Sequence, residues 1–482
     1  MAAPLLGQST NTLSIAEAAL ESAAATPAGG VWETVVALNG DLNGIVWGLP
    51  LLFLLLGGGA FLAVLARGQP FLRVGHAIAL LRGKHEIDVR AAGQISHFQA
   101  LSTALSSTIG LGNIGGVAIA ISQGGPGAVF WMWIAAFLGM ATKFFTCTLA
   151  VMYRDGDRGG PMYYIEKGLG PKWRWMAVAF SVFGMMGCLA MFQTNQLAEI
   201  LAAGYAPEGG EMRLRIGVGV VSAAVVAVVI FGGLKRIANV ASTLVPVMCA
   251  IYLVAVLGII GLNIAELPAT FVLIVHAAFN PEAALGAGSG LTFLLVLRTG
   301  IKRAAFSNEA GVGTAPMAHG AARTHEPVRE GLVAMLGPFI DTIIVCSLTA
   351  FAILLAGDWN VEGVSGVSMT MTAFESSFGA PGKLLLTIVV LMFSFSTMFG
   401  YSYYGRTCFE YLFGNERSWI YNVIFVVTLF IGAVLSASFV VDLLDTSFGL
   451  MAFPNMLATI ILAPRVVTAA KDYFRRMDAA AP

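Results

Sequence analysis

The chain has 482 residues, of which 57% are hydrophobic and only 11% charged, and its mean hydropathy is +0.81. Soluble domains carry about a quarter charged residues, so this composition excludes a soluble globular protein. Equal numbers of basic and acidic residues, 27 each, argue against a nucleic-acid surface, and long apolar runs rather than alternating ten-residue segments predict helices, not a barrel.

Residues 1–43 contain no Lys or Arg, so they lack the basic start of a signal peptide and read as a retained, extracytoplasmic tail. A short amphipathic piece from Trp32 to Leu38 suits the membrane surface. Residues 44–96 supply a first helix and a basic loop. Eleven spans follow the apolar pattern: 45–66, 97–122, 125–152, 173–204, 213–232, 238–262, 284–306, 330–356, 382–412, 419–437 and 440–464. Most basic residues, with Arg298, Lys302 and Arg303 counted among them, then fall in loops on one side, which predicts an outside N-terminus and a cytoplasmic tail over 465–482. An odd count leaves one extra helix and two halves, 97–262 and 263–464, that enter the membrane in opposite senses. That is the topology of an inverted repeat.

Span 2 holds the feature around which the rest is read. Its apolar helix is interrupted by Ser106, Ser107, Thr108, Ile109, Gly110, Leu111, Gly112 and Asn113. Lipid cannot satisfy freed backbone groups, so a break at membrane depth persists only where protein or a cavity surrounds it. The freed amides suit an anionic group and the freed carbonyls a cation. Gly110, Gly112 and Gly115 have dinucleotide-loop spacing, but no strand or soluble βαβ unit surrounds them. A close-packed glycine seam is the competing reading; the adjoining hydroxyls and Asn113 favour a site.

Symmetry predicts a second break in span 7. Gly286 to Gly290, the run Arg298, Thr299, Gly300, and the string FSNEAGVG are the alternatives. Span 4 brings Gln193, Thr194 and Asn195 into the membrane, where they either join helices or meet a substrate; Gln193 is the preferred contact. Span 9 carries Ser394, Ser396 and Thr397, whose hydroxyls either bond back to the preceding turn or ligate an alkali cation. Asp341 lies deep in span 8, a functional position by default, as a proton carrier, a charge beside the cation, or, as preferred here, half of a structural pair with Lys143. Glu309 is a further charge of undecided depth. The five cysteines, Cys147, Cys188, Cys249, Cys346 and Cys408, stand singly in apolar segments and read as packing. Neither an ATP-binding loop nor a catalytic constellation is visible.

The strings ISHFQALSTALSSTIGLGNIGGVA (95–118), GGPGAVFWMW (124–133), GGPMYYIEKGLG (159–170), FQTN (192–195), FSNEAGVGTAP (306–316), FIDTIIVC (339–346) and SYYGRTCFEYLFG (402–414) resemble the alanine or glycine:cation symporters. These belong to the wider amino acid–polyamine–organocation group. The resemblance implies a leucine-transporter-like 5+5 inverted repeat with one extra N-terminal helix. It implies an inner-membrane symporter that uses sodium to take up alanine or glycine; a proton-coupled carrier with Asp341 or Glu309 as the titrating group is the competing reading of the residues. TIGLGN is similar to the unwound first core helix of leucine transporters. That likeness implies that Gly110, Leu111, Gly112 and Asn113 meet a carboxylate and Thr108 an ammonium. Gln193, Asn195 and Thr299 join them as substrate contacts. The carbonyls of Ser106, Ile109 and Phe393 and the hydroxyls of Ser396 and Thr397 would then hold sodium. Tyr401 and Arg406 depart from the family, which often has Trp and an acidic residue there.

Overall fold

The computed structural model describes residues 30–83, 92–282, 291–357, 359 and 366–479. Among these the chain is helical apart from two isolated β-bridges. The first half comprises α1 (Val31–Val46), α2 (Leu49–Leu65), α3 (His97–Thr108), α4 (Val117–Gly124), α5 (Gly127–Met152), α6 (Arg174–Gly187), α7 (Met191–Tyr205), α8 (Glu211–Ile230) and α9 (Gly233–Leu262). After α10 (Leu267–Phe279) come α11 (Phe293–Asn308), α12 (Ala315–Gly320), α13 (Pro327–Ala334), α14 (Ser347–Ala356), α15 (Val367–Phe378), α16 (Ala380–Phe413), α17 (Ser418–Val434) and α18 (Ala437–Ala479). With α6/α7 and α13/α14 each taken as one stretch, eight of the described helical stretches are long and apolar enough to cross a membrane, or ten if each of the bent pairs α1/α2 and α3/α4 is one span. The protein is therefore a multi-pass membrane protein.

Burial sorts these helices. Only a fifth of the most apolar stretch of α8 is buried, 22%, against 78% for α5. The apolar face of α8 therefore meets lipid, while α5 runs through the interior beside α2, α11 and α13. Small residues permit that closeness. A Cβ on Gly300 of α11 would come within 2.5 Å of the Ala128 carbonyl, and one on Gly127 equally close to the backbone of Ala277, as expected where packing replaces a hydrophobic driving force.

Three expectations change here. Residues 31–46 form a helix laid along α18 instead of a loose tail with a surface piece. Asn39 Nδ2 donates to the Phe439 carbonyl at 3.1 Å, Asn43 Nδ2 to that of Asp442 at 3.1 Å, and the Trp32 ring lies 4.9 Å from Phe439. Second, Arg298, Thr299 and Gly300 do not interrupt span 7; α11 runs through them, and Gly300 is a packing contact. The break lies in FSNEAGVG, where Glu309, Gly311 and Gly313 adopt φ of 55°, 89° and 103°. Gly286, Gly288, Ser289 and Gly290 lie outside the described residues.

Third, Arg298, Lys302 and Arg303 sit at the α1 end of the bundle and not in a loop at the opposite, basic face, which carries the starts of α3 and α13. Arg298 donates to the Gly44 carbonyl at 2.8 Å. Lys302 reaches Asn43 Oδ1 at 2.7 Å and Asp445 at 2.9 Å, and Arg303 pairs with the same Asp445 carboxylate. Trp47 Nε1 donates to the Asp445 carbonyl at 2.9 Å. Asp445 and Arg303 are both buried, so the charges are held by one another. Removing one member leaves the other uncompensated, which costs about 3–5 kcal/mol. Asp445→Ala is accordingly expected to lower the unfolding midpoint of the detergent-solubilised protein, and the triple change Lys302→Gln, Arg303→Met and Asp445→Leu to recover much of it.

Candidate functional site

The first break is as the spacing predicts. Ser96 caps α3 in a reciprocal box with Gln99, and the helix runs to Thr108. Ile109 then turns extended, with φ −76° and ψ 91°. Gly112 to Gly116 form a π turn, and α4 leaves at 52° to α3. A π turn is wider than an α turn and is commonly found at functional sites. A second π stretch, Phe339–Cys346, lies between α13 and α14. It holds Asp341 against the first break.

Asp341 is fully buried, and three interrupted helices converge on its carboxylate. Asn113 Nδ2 donates to Oδ1 at 2.7 Å, and the Ser307 and Thr342 hydroxyls each donate to Oδ2 at 2.8 Å. Asn113 Nδ2 also lies 3.1 Å from the Asp341 carbonyl, while its Oδ1 accepts from the Gly110 amide at 2.9 Å. Asn308 Nδ2 donates to Thr342 Oγ1 at 2.9 Å. Both breaks and the π stretch are thus joined by one hydrogen-bond network in a dry interior, where an unpaired polar group is costly.

On the other side of Gly110, α16 packs against α3. Ser106 Oγ lies 3.3 Å from the Ser396 carbonyl, and Thr397 Oγ1 donates to the Phe393 carbonyl at 3.1 Å. Gly400 lets the helices approach, since a Cβ there would overlap Ser107 Oγ and come within 3.0 Å of Ser106 Oγ. A Cβ on Gly110 would overlap Thr397 Oγ1. Ser396 Oγ is buried and has no hydrogen-bond partner among the described residues. The opposite side is closed by α15: Thr370 Oγ1 reaches the Ile114 carbonyl at 3.4 Å, and Val367 abuts Gly115.

Comparison with known proteins matches this chain to a family. The sodium:alanine symporter family model covers residues 32–481. The chain belongs to that family. It is 40% identical over 451 residues to the sodium/alanine symporter AgcS of Methanococcus maripaludis, covering 91% of this chain and 97% of AgcS. It is 38% identical over 461 residues to the "Putative sodium/proton-dependent alanine carrier protein YrbD" of Bacillus subtilis, covering 90% and 92%. The structure of MhsT in complex with L-phenylalanine aligns with a TM-score of 0.56 at 15% identity, covering 78% of this chain and 98% of MhsT, a likeness of fold. The protein is a cation-coupled amino acid symporter of a transporter family.

Within this symporter the residues singled out in the sequence divide. Ser106, Gly110, Phe393, Ser396 and Thr397 come together, with Ile109 beside Gly110. Ser394 bonds back to the Val390 carbonyl at 2.7 Å, the blander of its two readings. Thr108 Oγ1 donates to the Ala104 carbonyl at 3.1 Å and keeps its lone pairs. Gly112 lies under the Phe306 ring, which meets Phe192 edge-on at 5.2 Å. Gln193 is buried with Oε1 unpartnered among the described residues. It shares a helix face with Gln196, whose Oε1 lies close to Gly115.

The Gly110 amide is engaged by Asn113, so offering it to a carboxylate requires that side chain to turn. Three other expectations are corrected. Asn195 is spent on structure: its Nδ2 donates to the Gly432 and Leu435 carbonyls at 3.0 and 2.8 Å, satisfying groups that a helix C-terminus leaves open. Thr299 packs on Gly124 at the far end of α4, nine residues before Asn308 and hence about 14 Å up α11. Lys143 and Asp341 form no ion pair. Among the described residues no salt bridge joins them, and a Cβ on Gly337 would lie 3.3 Å from Lys143 Nζ. Glu309 accepts instead from Thr314 Oγ1 within the second break.

Ser307, Asn308, Thr342 and Gln196 were missed. Ser307 and Asn308 precede Glu309 in FSNEAGVG, so locating the second break would have found them.

Proposed function

We propose that this symporter uses the sodium gradient to import a small neutral amino acid, alanine or glycine, by alternating access across the inner membrane. The observation that carries the reading is the convergence of two helix breaks and a π stretch on Asn113, Ser307 and Asp341, across Gly110 from the oxygen set of α3 and α16. In this reading α11 and α12 make one broken span, for eleven spans in all. They form a 5+5 inverted repeat with α1/α2 as the extra element, the N-terminus outside and the basic face cytoplasmic.

Sodium is held by the carbonyls of Ser106, Ile109 and Phe393 with the hydroxyls of Ser396 and Thr397, a set of hard oxygen donors suited to an alkali ion. Asp341 adds negative charge nearby. The amino acid lies along Thr108 to Asn113, its carboxylate toward the amides of the break, with Gln193 as a further hydrogen-bonding contact. Phe192 and Phe306 supply an apolar wall. Sodium and substrate bound side by side stabilise one conformation, so each raises the other's affinity by the same factor.

Proton coupling is the second reading. It is favoured by the two buried carboxylates, Glu309 and Asp341, and agrees with the name given to YrbD. Radiolabelled alanine uptake into proteoliposomes separates the two. Accumulation under an inward sodium gradient at uniform pH is expected; accumulation under a proton gradient without sodium would replace the sodium reading.

A further inference from the structure

The basic face holds a cavity of about 380 Å³ between the Val74–Leu81 helix, the start of α3 and the segment before α13. Arg82, Arg323 and Arg329 line it together with Gln94, Ser96 and Gln99, and among the described residues no carboxylate does. Among the described residues none of these arginines has an ion-pair partner. Three described acids near them are engaged elsewhere: Glu330 is fully buried between His97 and His319, Glu326 holds Arg476 at 2.6 Å, and Asp157 meets Gln94. Arg329 Nε is buried and unpartnered, its guanidinium 6.0 Å from the Tyr473 ring.

The N-terminus of α3 opens on the same cavity. Its capping box uses the amides of Ser96 and Gln99, which leaves those of His97 and Phe98, the first two of the helix, without an intrahelical acceptor. A helix N-terminus attracts negative charge, and three arginines around it add forked donors that match phosphate oxygens. We propose that this cavity binds a phosphate-bearing anion.

Its position gives the anion a consequence. The two walls are the parts that must separate for the basic face to open. Ile95 and Ala322 form a parallel β-bridge, the Gln94 amide donates to the Ala321 carbonyl at 2.8 Å, and the Arg323 amide to that of Ile95 at 2.8 Å. Glu330 accepts from both histidines, one at the head of α3 and one in α12. An anion held by the head of α3 and by Arg323 and Arg329 adds a third tie across the same seam. It holds the inner halves of both broken helices together and slows transport. This regulatory step rests on the alternating-access reading; binding itself does not.

The phosphate could belong to a soluble metabolite or to a lipid headgroup, and two arms separate them. Inorganic pyrophosphate is titrated calorimetrically into the full-length protein in detergent, and native mass spectrometry counts lipids retained from phosphatidylglycerol against phosphatidylcholine vesicles. Saturable pyrophosphate binding, weakened about tenfold for each of Arg82→Gln and Arg323→Gln, supports a soluble anion. Phosphatidylglycerol retention lost in those variants, with no pyrophosphate binding, supports a lipid. Saturation in neither arm, or binding that the variants leave unchanged, overturns the site. Pyrophosphate trapped inside proteoliposomes is expected to slow uptake by the native protein and not by the double variant. Equal slowing of both removes the regulatory step, whereas failure of sodium-driven uptake itself leaves the binding result standing.

Discussion

Asp341→Asn is expected to reduce sodium-driven alanine uptake to background while leaving the protein folded. Asparagine has nearly the shape of aspartate and can still meet Asn113, Ser307 and Thr342 with one amide oxygen and one amide nitrogen, since both hydroxyls can reverse their bonds. What it removes is the charge. At an effective dielectric of 20 a carboxylate attracts a cation by about 4 kcal/mol at 4 Å and about 2 kcal/mol at 8 Å, on the order of thirtyfold to a thousandfold in affinity. Asp341 is fully buried, so water cannot replace it. Sodium titration of the purified variant, read by tryptophan fluorescence, should show no saturation in the range that saturates the native protein. Native-like sodium affinity with lost uptake would instead assign Asp341 to substrate or to conformational change.

Gly110→Ala is expected to be worse, because it damages structure and function at once. The new Cβ would overlap Thr397 Oγ1 and stand 3.1 Å from Thr397 Cβ. Neither partner can retreat freely: Thr397 is buried on α16, and Gly110 is tied through its amide to Asn113. Overpacking of this kind costs about 1–3 kcal/mol, sometimes more, and here it pries α3 from α16 at the proposed sodium set. The double variant Gly110→Ala with Thr397→Ala removes the overlapping hydroxyl. It should regain the folded yield, seen as a monodisperse chromatographic peak, without regaining uptake. Recovery of uptake in the double variant would mean that Thr397 contributes packing and no ligand.

The parts of this architecture that were legible are those whose cause is local. A glycine pair next to hydroxyls inside an apolar helix has few explanations at membrane depth, so the break at Ile109 and Gly110 was readable, as was the approach of Ser106 to Ser396 once the family resemblance was recognised. The errors concern partners far along the chain. Arg298, Lys302 and Arg303 look like a loop or an interruption because three cations do not belong in an apolar helix. Their acid, Asp445, lies 142 residues beyond Arg303. Asn195 looks like a ligand because its acceptors are the end carbonyls of α17, 237 and 240 residues away. Asp341 and Lys143 were matched by sign alone, while hydroxyls and an amide satisfy the carboxylate. Charge in a membrane helix signals that a partner exists; it does not say which one.

The angle between α3 and α4 has a mechanical meaning. The twelve residues of α3 make an arm about 18 Å long, fixed at one end by the Gly110 and Thr397 contact and fastened at the other by the Ile95 and Ala322 bridge. A rotation of roughly 10° at the extended Ile109 would carry the His97 end sideways by about 3 Å at that helical rise, enough to part the bridge while moving Ser106 by less than 1 Å. Leverage of this kind lets the oxygen set stay nearly still while its distant end swings open. A clasp at the far end of a lever needs little strength to hold it, and a few hydrogen bonds there govern a motion whose fulcrum lies in the middle of the membrane.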